Sequence, residues 1–169
     1  MATATVNYSS NTAITMDLAG LASSTTFLAG RESSQIDNTS NKYIDCIVSG
    51  FISVGTTPTA DRQIAVYVWG ADTSLATTPI DVLDGTDSAE TLSNTGILQA
   101  LRPGVTISVT ATTSDLAYPI LPFSVASRFG GVMPKFWGLF VAHNTVAALR
   151  NTAVNTDSLE FVGIKYDIT

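Results

Sequence analysis

The sequence predicts an all-β protein: a single-domain, jelly-roll-like β-sandwich with short helical turns and an N-terminal arm. Three observations carry that reading. Apolar residues recur at every second position through several segments, as half-buried strands require. Thr and Ser together make up roughly a quarter of the chain, and β-branched Thr suits a strand that keeps one face wet. Helical periodicity is sparse, and no repeat or linker divides the chain. Eight or so strands in 169 residues imply a sandwich, with the jelly roll ahead of the immunoglobulin-like order. Residues 1–12 read as an N-terminal arm or edge strand, and residues 13–169 as the sandwich.

The elements follow in order. Residues 1–12 are rich in Thr, Ser and Asn, with a weak strand over Thr3 to Tyr8. Arms of this composition become ordered by adding to another chain's sheet edge. A brief helical turn fits Asn11 to Leu21, and weak strands fit Thr25 to Leu28 and Ser33 to Asp37. From Tyr43 to Val54, the residues Ile44, Cys46, Val48, Ile52 and Val54 share an inward face. Gln63 to Trp69 turns Ile64, Val66 and Val68 inward, which leaves Tyr67 and Trp69 on the other side, one of them exposed.

Ser88 to Ala100 fits one or two helical turns capped by Asp87 or Ser88. Val105 to Ala111 alternates without interruption, and Ile120 to Ala126 is a weaker strand. Phe136 to Val141 is apolar on both sides, so it reads as a central strand covered on both faces. Val162, Ile164, Tyr166 and Ile168 give a C-terminal strand. Turn chemistry separates these runs at Gly55 to Pro58, Asp84-Gly85, Arg102 to Gly104 and Gly130-Gly131.

Composition excludes whole classes of function. Only 13% of residues are charged, against about 25% in ordinary domains. Eight basic and 14 acidic residues give a net charge of −6, and the scattered Lys and Arg form no stripe for phosphates. Nucleic acid is therefore not a partner. No run of 18 apolar residues supplies a membrane span, and the start lacks the basic and apolar regions of a signal peptide. With a mean hydropathy of +0.27, the chain reads as made in the cytoplasm and prone to assembly. The basic residues lie mostly near predicted turns, as solvated charges or as ion pairs between subunits.

The inventory of reactive groups is thin. Cys46 cannot form an internal disulfide and falls on an apolar strand face, which makes it a buried, inert thiol. His143 is the only histidine, and no nucleophile elbow or cysteine partner accompanies it. It reads as a hydrogen-bonded residue at a strand end. Asp81, Asp84 and Asp87, followed by Glu90, offer oxygen ligands but not the spacing of a calcium loop. An acidic turn is the better account. Glu32, Glu90 and Glu160 are the only glutamates, and nothing pairs two of them across a cleft. No catalytic, cofactor or metal residue is assigned.

Four longer strings go beyond composition: GRES at 30–33, DNTSN at 37–41, DVLDGTDSAET at 81–91 and FGGVMPKFWGLFVAHNT at 129–145. In these the chain resembles a family of tailed-bacteriophage virion structural proteins, over about Val6 to Thr145. That resemblance implies a capsid cement (decoration) protein on the exterior of the phage head. Its partners would be the major capsid protein and further copies of itself, as a dimer or trimer. Contacts are expected at the arm, through Val6 and Tyr8, at the loop of Asp84 and Asp87, and around Trp137. The alternative is a tail or baseplate module that binds host-surface glycans. It would use an exposed aromatic beside an acid, either Trp69 with Asp72 or Tyr118 with Asp115.

Overall fold

A computed structural model describes residues 3–150 and 158–168. The chain forms an all-β sandwich of two antiparallel sheets. The first sheet runs β1 (Ala4–Tyr8), β11 (Ser158–Ile168), β5 (Asp45–Ser53), β9 (Ala117–Ser124), with β2 (Thr12–Ala13) also on β11. The second runs β7 (Ser88–Thr91), β3 (Ala29–Glu32), β10 (Phe136–His143), β6 (Arg62–Ala71), β8 (Arg102–Val109), with β4 (Ile36–Asp37) on β10. Two short helices, α1 (Thr95–Ala100) and α2 (Val125–Arg128), complete it.

The four strongly alternating segments and the all-apolar Phe136 to Val141 run all become strands, and one face of each meets the others between the sheets. Cys46, Val48 and Ile52 of β5 pack with Ile64, Val66 and Val68 of β6, Leu139 and Val141 of β10, and Phe161 of β11. A second apolar cluster lies on the far side of the second sheet. There the segment between β6 and β8 folds back, so that Leu75, Leu83, Leu92 and Leu101 cover Trp69 and Phe140. The central strand β10 is thus buried on both faces, as its unbroken apolar run predicts.

The differences from the sequence reading have identifiable causes. Residues 4–8 pair with β11 as an edge strand, one of the two readings of residues 1–12; the differences lie elsewhere. Thr25 to Leu28 is not a strand: Phe27 takes a left-handed φ of 59° in a turn, and β3 starts only at Ala29. Ser33 to Asp37 reduces to the two residues of β4. Ser88 to Ala100 splits, because Ser88–Thr91 pairs with β3 and only Thr95–Ala100 is helical. Its N-cap is therefore Asn94, whose side chain accepts the Gly96 and Ile97 N–H groups, not Asp87 or Ser88. Asn11 to Leu21 contains β2 and loop instead of a helical turn. Ile44 precedes β5 and is exposed instead of buried.

Gly163 shows how tightly the first sheet is packed. It lies between Phe161 and Lys165 on the inward side of β11, and a Cβ there would sit 2.5 Å from the Tyr43 ring. That ring in turn meets Phe161 edge-on at 6.4 Å. Gly163→Ala is expected to cost about 1–3 kcal/mol through overpacking, read as a lower urea midpoint at unchanged m.

Candidate interaction surface

The two sheets differ in what covers their outer faces. The second sheet is capped by the β6–β8 segment, whereas no described residue caps the first. Alternation along the first sheet sends Ala4, Val6 and Tyr8 of β1 outward with Val162, Ile164 and Tyr166 of β11. Ile47 and Phe51 of β5 and Pro119 and Leu121 of β9 extend the same face. Val6 and Phe51 are each 47% exposed, Tyr166 58%, Tyr8 64% and Leu121 71%. Glu160, held by the Asn11 amide at 3.0 Å, and Asp45 are the acids on this face. Five large apolar side chains on one face approach the few hundred Å² that mark an interaction site on a monomer.

The edge of this face is a two-stranded ribbon. β5 pairs with β11 only as far as Ile164, so the last turns of β11 are held by β1 alone. One side of the ribbon is apolar, with Val6 directly opposite Tyr166. The other side is polar: the Asn7 amide donates to Asp167 at 2.7 Å, and Lys165 lies 3.4 Å from the same carboxylate. The Asn7 bond, then the Lys165 charge, hold the Asp167 carboxyl below its usual range. Such an amphipathic ribbon is built to present its apolar side. Val6 and Tyr8, two of the contact residues expected from the sequence, both lie on it.

Asp84 and Asp87 belong elsewhere, on the loop before β7 in the other sheet. Asp84 is exposed and accepts the Thr86 N–H at 2.9 Å. Asp87 is half-buried, paired with the Arg31 Nε at 2.6 Å, and accepts the Asp17 N–H at 3.0 Å. Asp81 accepts the Ser93 N–H and hydroxyl, which depresses its carboxyl. The three carboxylates therefore point to three different partners. Among the described residues, no group of three or more His, Cys, Asp or Glu side chains converges as a metal cage would.

Beneath this loop sits a residue that the sequence reading did not single out for this role. Glu32 is fully buried, and its two carboxylate oxygens accept the N–H groups of Asp84 (3.0 Å) and Gly85 (2.9 Å). Burial pushes its carboxyl up to about 7, the nearby Asp84 and Glu90 charges add to the rise, and the two N–H bonds oppose it. Its place on β3, where alternate residues are buried, would have flagged it had β3 been located.

The remaining candidates are interior. Trp137 is not a contact residue: it is wholly buried in the main core, edge-on to Phe161 at 5.3 Å. Its alternation with Leu139 and Val141 faces it inward. Trp69 is likewise buried, under the β6–β8 segment, and so is Tyr118, whose hydroxyl accepts the Ala111 N–H at 3.3 Å. Neither can serve as an exposed sugar platform beside Asp72 or Asp115. Cys46 is buried, and burial raises its thiol to about 12. His143 is buried at the end of β10, where Nε2–H donates to the Leu21 carbonyl at 2.9 Å and Nδ1 meets the Thr145 hydroxyl at 2.8 Å. Burial holds its pKa below the ordinary value. Both ring nitrogens are spent on holding loops to the strand.

Comparisons with protein-family models, with curated proteins and with solved structures find no match to this chain.

Proposed function

We infer that this chain is a non-enzymatic cement (decoration) protein of a tailed-phage head. In this reading it is made in the host cytoplasm and ends on the exterior of the virion shell. There it bridges neighbouring subunits of the major capsid protein as a homo-oligomer. The observation that carries the reading is the bare apolar outer face of the first sheet, displayed by a sandwich whose other sheet is covered on both sides. An adhesive needs a broad rigid face, whereas an enzyme needs reactive groups converging on a cleft.

Strand order supports the jelly-roll form of the sandwich. In the chain order β1, β3, β5, β6, β8, β9, β10, β11, every step but β6 to β8 changes sheet, and the strands make up β1-β11-β5-β9 on one side and β3-β10-β6-β8 on the other. That is the arrangement two interleaved Greek keys produce, with β7 as an extra edge. Binding the assembled lattice, and not free subunits, would stabilise the shell by mass action. Several attached copies would lengthen residence through high effective concentration.

The test is cosedimentation of purified protein with empty expanded heads, immature heads and host cells. Wild type is expected on expanded heads, raising their thermal resistance. Tyr166→Asp, which leaves the core untouched, is expected to weaken that binding at least tenfold, since it buries a charge in an apolar contact. Density for the chain at the tail of the virion, or retention on host cells alone, would overturn the assignment. The two aromatic residues named as candidates for the glycan-binding alternative, Trp69 and Tyr118, are buried.

A further inference from the structure

We propose that two copies of this chain join through the free edges of β1, antiparallel and centred on Val6, into one continuous sheet. This specifies the interface of the homo-oligomer in the reading above, but the pairing itself requires no shell.

Among the described residues the two sheet paths end in four strands, and three of these are blunted. β9 carries Pro119 and Pro122, which cannot donate to a ladder. β8 carries Arg102 and Pro103, and its pairing with β6 contains a bulge. β7 is only four residues long and includes Glu90. These are the devices that keep natural sheets from joining edge to edge. β1, with the sequence ATVNY, has no proline, no charge and no register shift, and it is exposed along its whole length.

The hydrogen-bonding groups of this edge point the right way. Ser9 donates its N–H to the Gly163 carbonyl at 2.8 Å, so Ser9 and Gly163 form a hydrogen-bonded rung. Antiparallel rungs alternate, which assigns the main-chain groups of Asn7 and Thr5 to β11. The N–H and C=O groups of Ala4, Val6 and Tyr8 then face outward, away from β11. An antiparallel copy centred on Val6 sets Val6 against Val6 and Ala4 against Tyr8. Each of these is a hydrogen-bonded pair, about six inter-chain bonds in all.

The side chains match the same twofold. The polarity of ATVNY, apolar at 4, 6 and 8 and polar at 5 and 7, reads the same in both directions about Val6. Pairing therefore joins the apolar faces of the two ribbons, Val6, Tyr8 and Tyr166 from each copy, into one strip, with Thr5 opposite Asn7 behind it. Each copy carries a charge of −6, yet no charged residue of β1 would lie opposite another. A second copy fits this edge without altering it, and the contact closes at two.

The test is light scattering of the full chain across concentration, with amide hydrogen exchange as the local readout. Wild type is expected at twice the 17.7 kDa chain mass, with the Val6 and Tyr8 amides slowing as the dimer fills. Val6→Pro removes one outward N–H and none that β11 uses, and Val6→Lys sets two ammonium groups face to face. Both are expected to weaken dimerisation at least tenfold while leaving the far-UV spectrum unchanged. A wild-type monomer at high micromolar concentration would overturn the proposal, as would a trimer or a dimer whose Val6 and Tyr8 amides exchange freely. Capsid cosedimentation separates the two readings. A monomer that still coats heads sinks the β1 pairing alone, and a β1-paired dimer that ignores heads sinks the cement role alone.

Discussion

Trp137→Ala is expected to destabilise the fold by about 3–5 kcal/mol, the cost of emptying a large aromatic site in a packed core. Trp137 is fully buried on the inward side of β10, between Leu139 and the edge-on ring of Phe161. Urea unfolding at neutral pH, followed by far-UV circular dichroism, measures the loss. The result also separates two roles for this residue. An exposed contact residue would lose its partner on truncation and keep its stability within about 0.5 kcal/mol. A buried one loses stability first, and any loss of shell binding follows from unfolding.

Glu32→Gln is expected to gain stability relative to wild type as pH rises from 5 to 8, by about 2–3 kcal/mol over that range. The sign follows from the folded carboxyl, raised to about 7 from an ordinary 4.5. Below pH 4.5 both folded and unfolded chains hold the proton, and Glu32 contributes no pH dependence. Between 4.5 and 7 the folded chain keeps a proton that the unfolded chain has released, so stability falls as pH rises. Above 7 both forms are ionised and the penalty of the buried charge is complete. His143 acts in the opposite sense. Its depressed pKa removes stability as pH falls through the unfolded value, when the unfolded chain takes up a proton that the buried ring resists. Because both proteins share His143, the difference between their urea-unfolding curves at pH 5 and pH 8 isolates Glu32. A gap that does not change with pH would show that Glu32 carries its charge as easily inside the fold as outside.

Glu32 also shows where sequence reading stops. The string GRES is conspicuous, yet nothing local tells that Glu32 will be covered by a loop some fifty residues later and accept N–H groups from Asp84 and Gly85. The same holds for Trp69. Alternation sets it opposite Ile64, Val66 and Val68, but the expectation that Tyr67 or Trp69 is exposed is not met, because residues of the β6–β8 segment return to cover Trp69 and half-bury Tyr67. The Ser88 to Ala100 stretch has modest helical preference throughout. Four of its residues became strand because the edge of β3 was there to accept them. Local propensity is a small term beside such pairing.

Sequence alone determined the all-β class, the five principal strands and the inward set Cys46, Val48, Ile52, Val54, Ile64, Val66 and Val68. The reason is physical: a strand presents alternate residues to opposite sides, so a period of two states which residues share a face whatever lies opposite them. Outside β10, whose unbroken apolar run already implied cover on both faces, tertiary structure alone decided which faces were covered. It buried Trp69, and it left Val6, Tyr8, Phe51, Leu121 and Tyr166 bare on the first sheet. Burial depends on segments remote in the chain, whose arrival costs loop-closure entropy and is rewarded only by the contacts they complete.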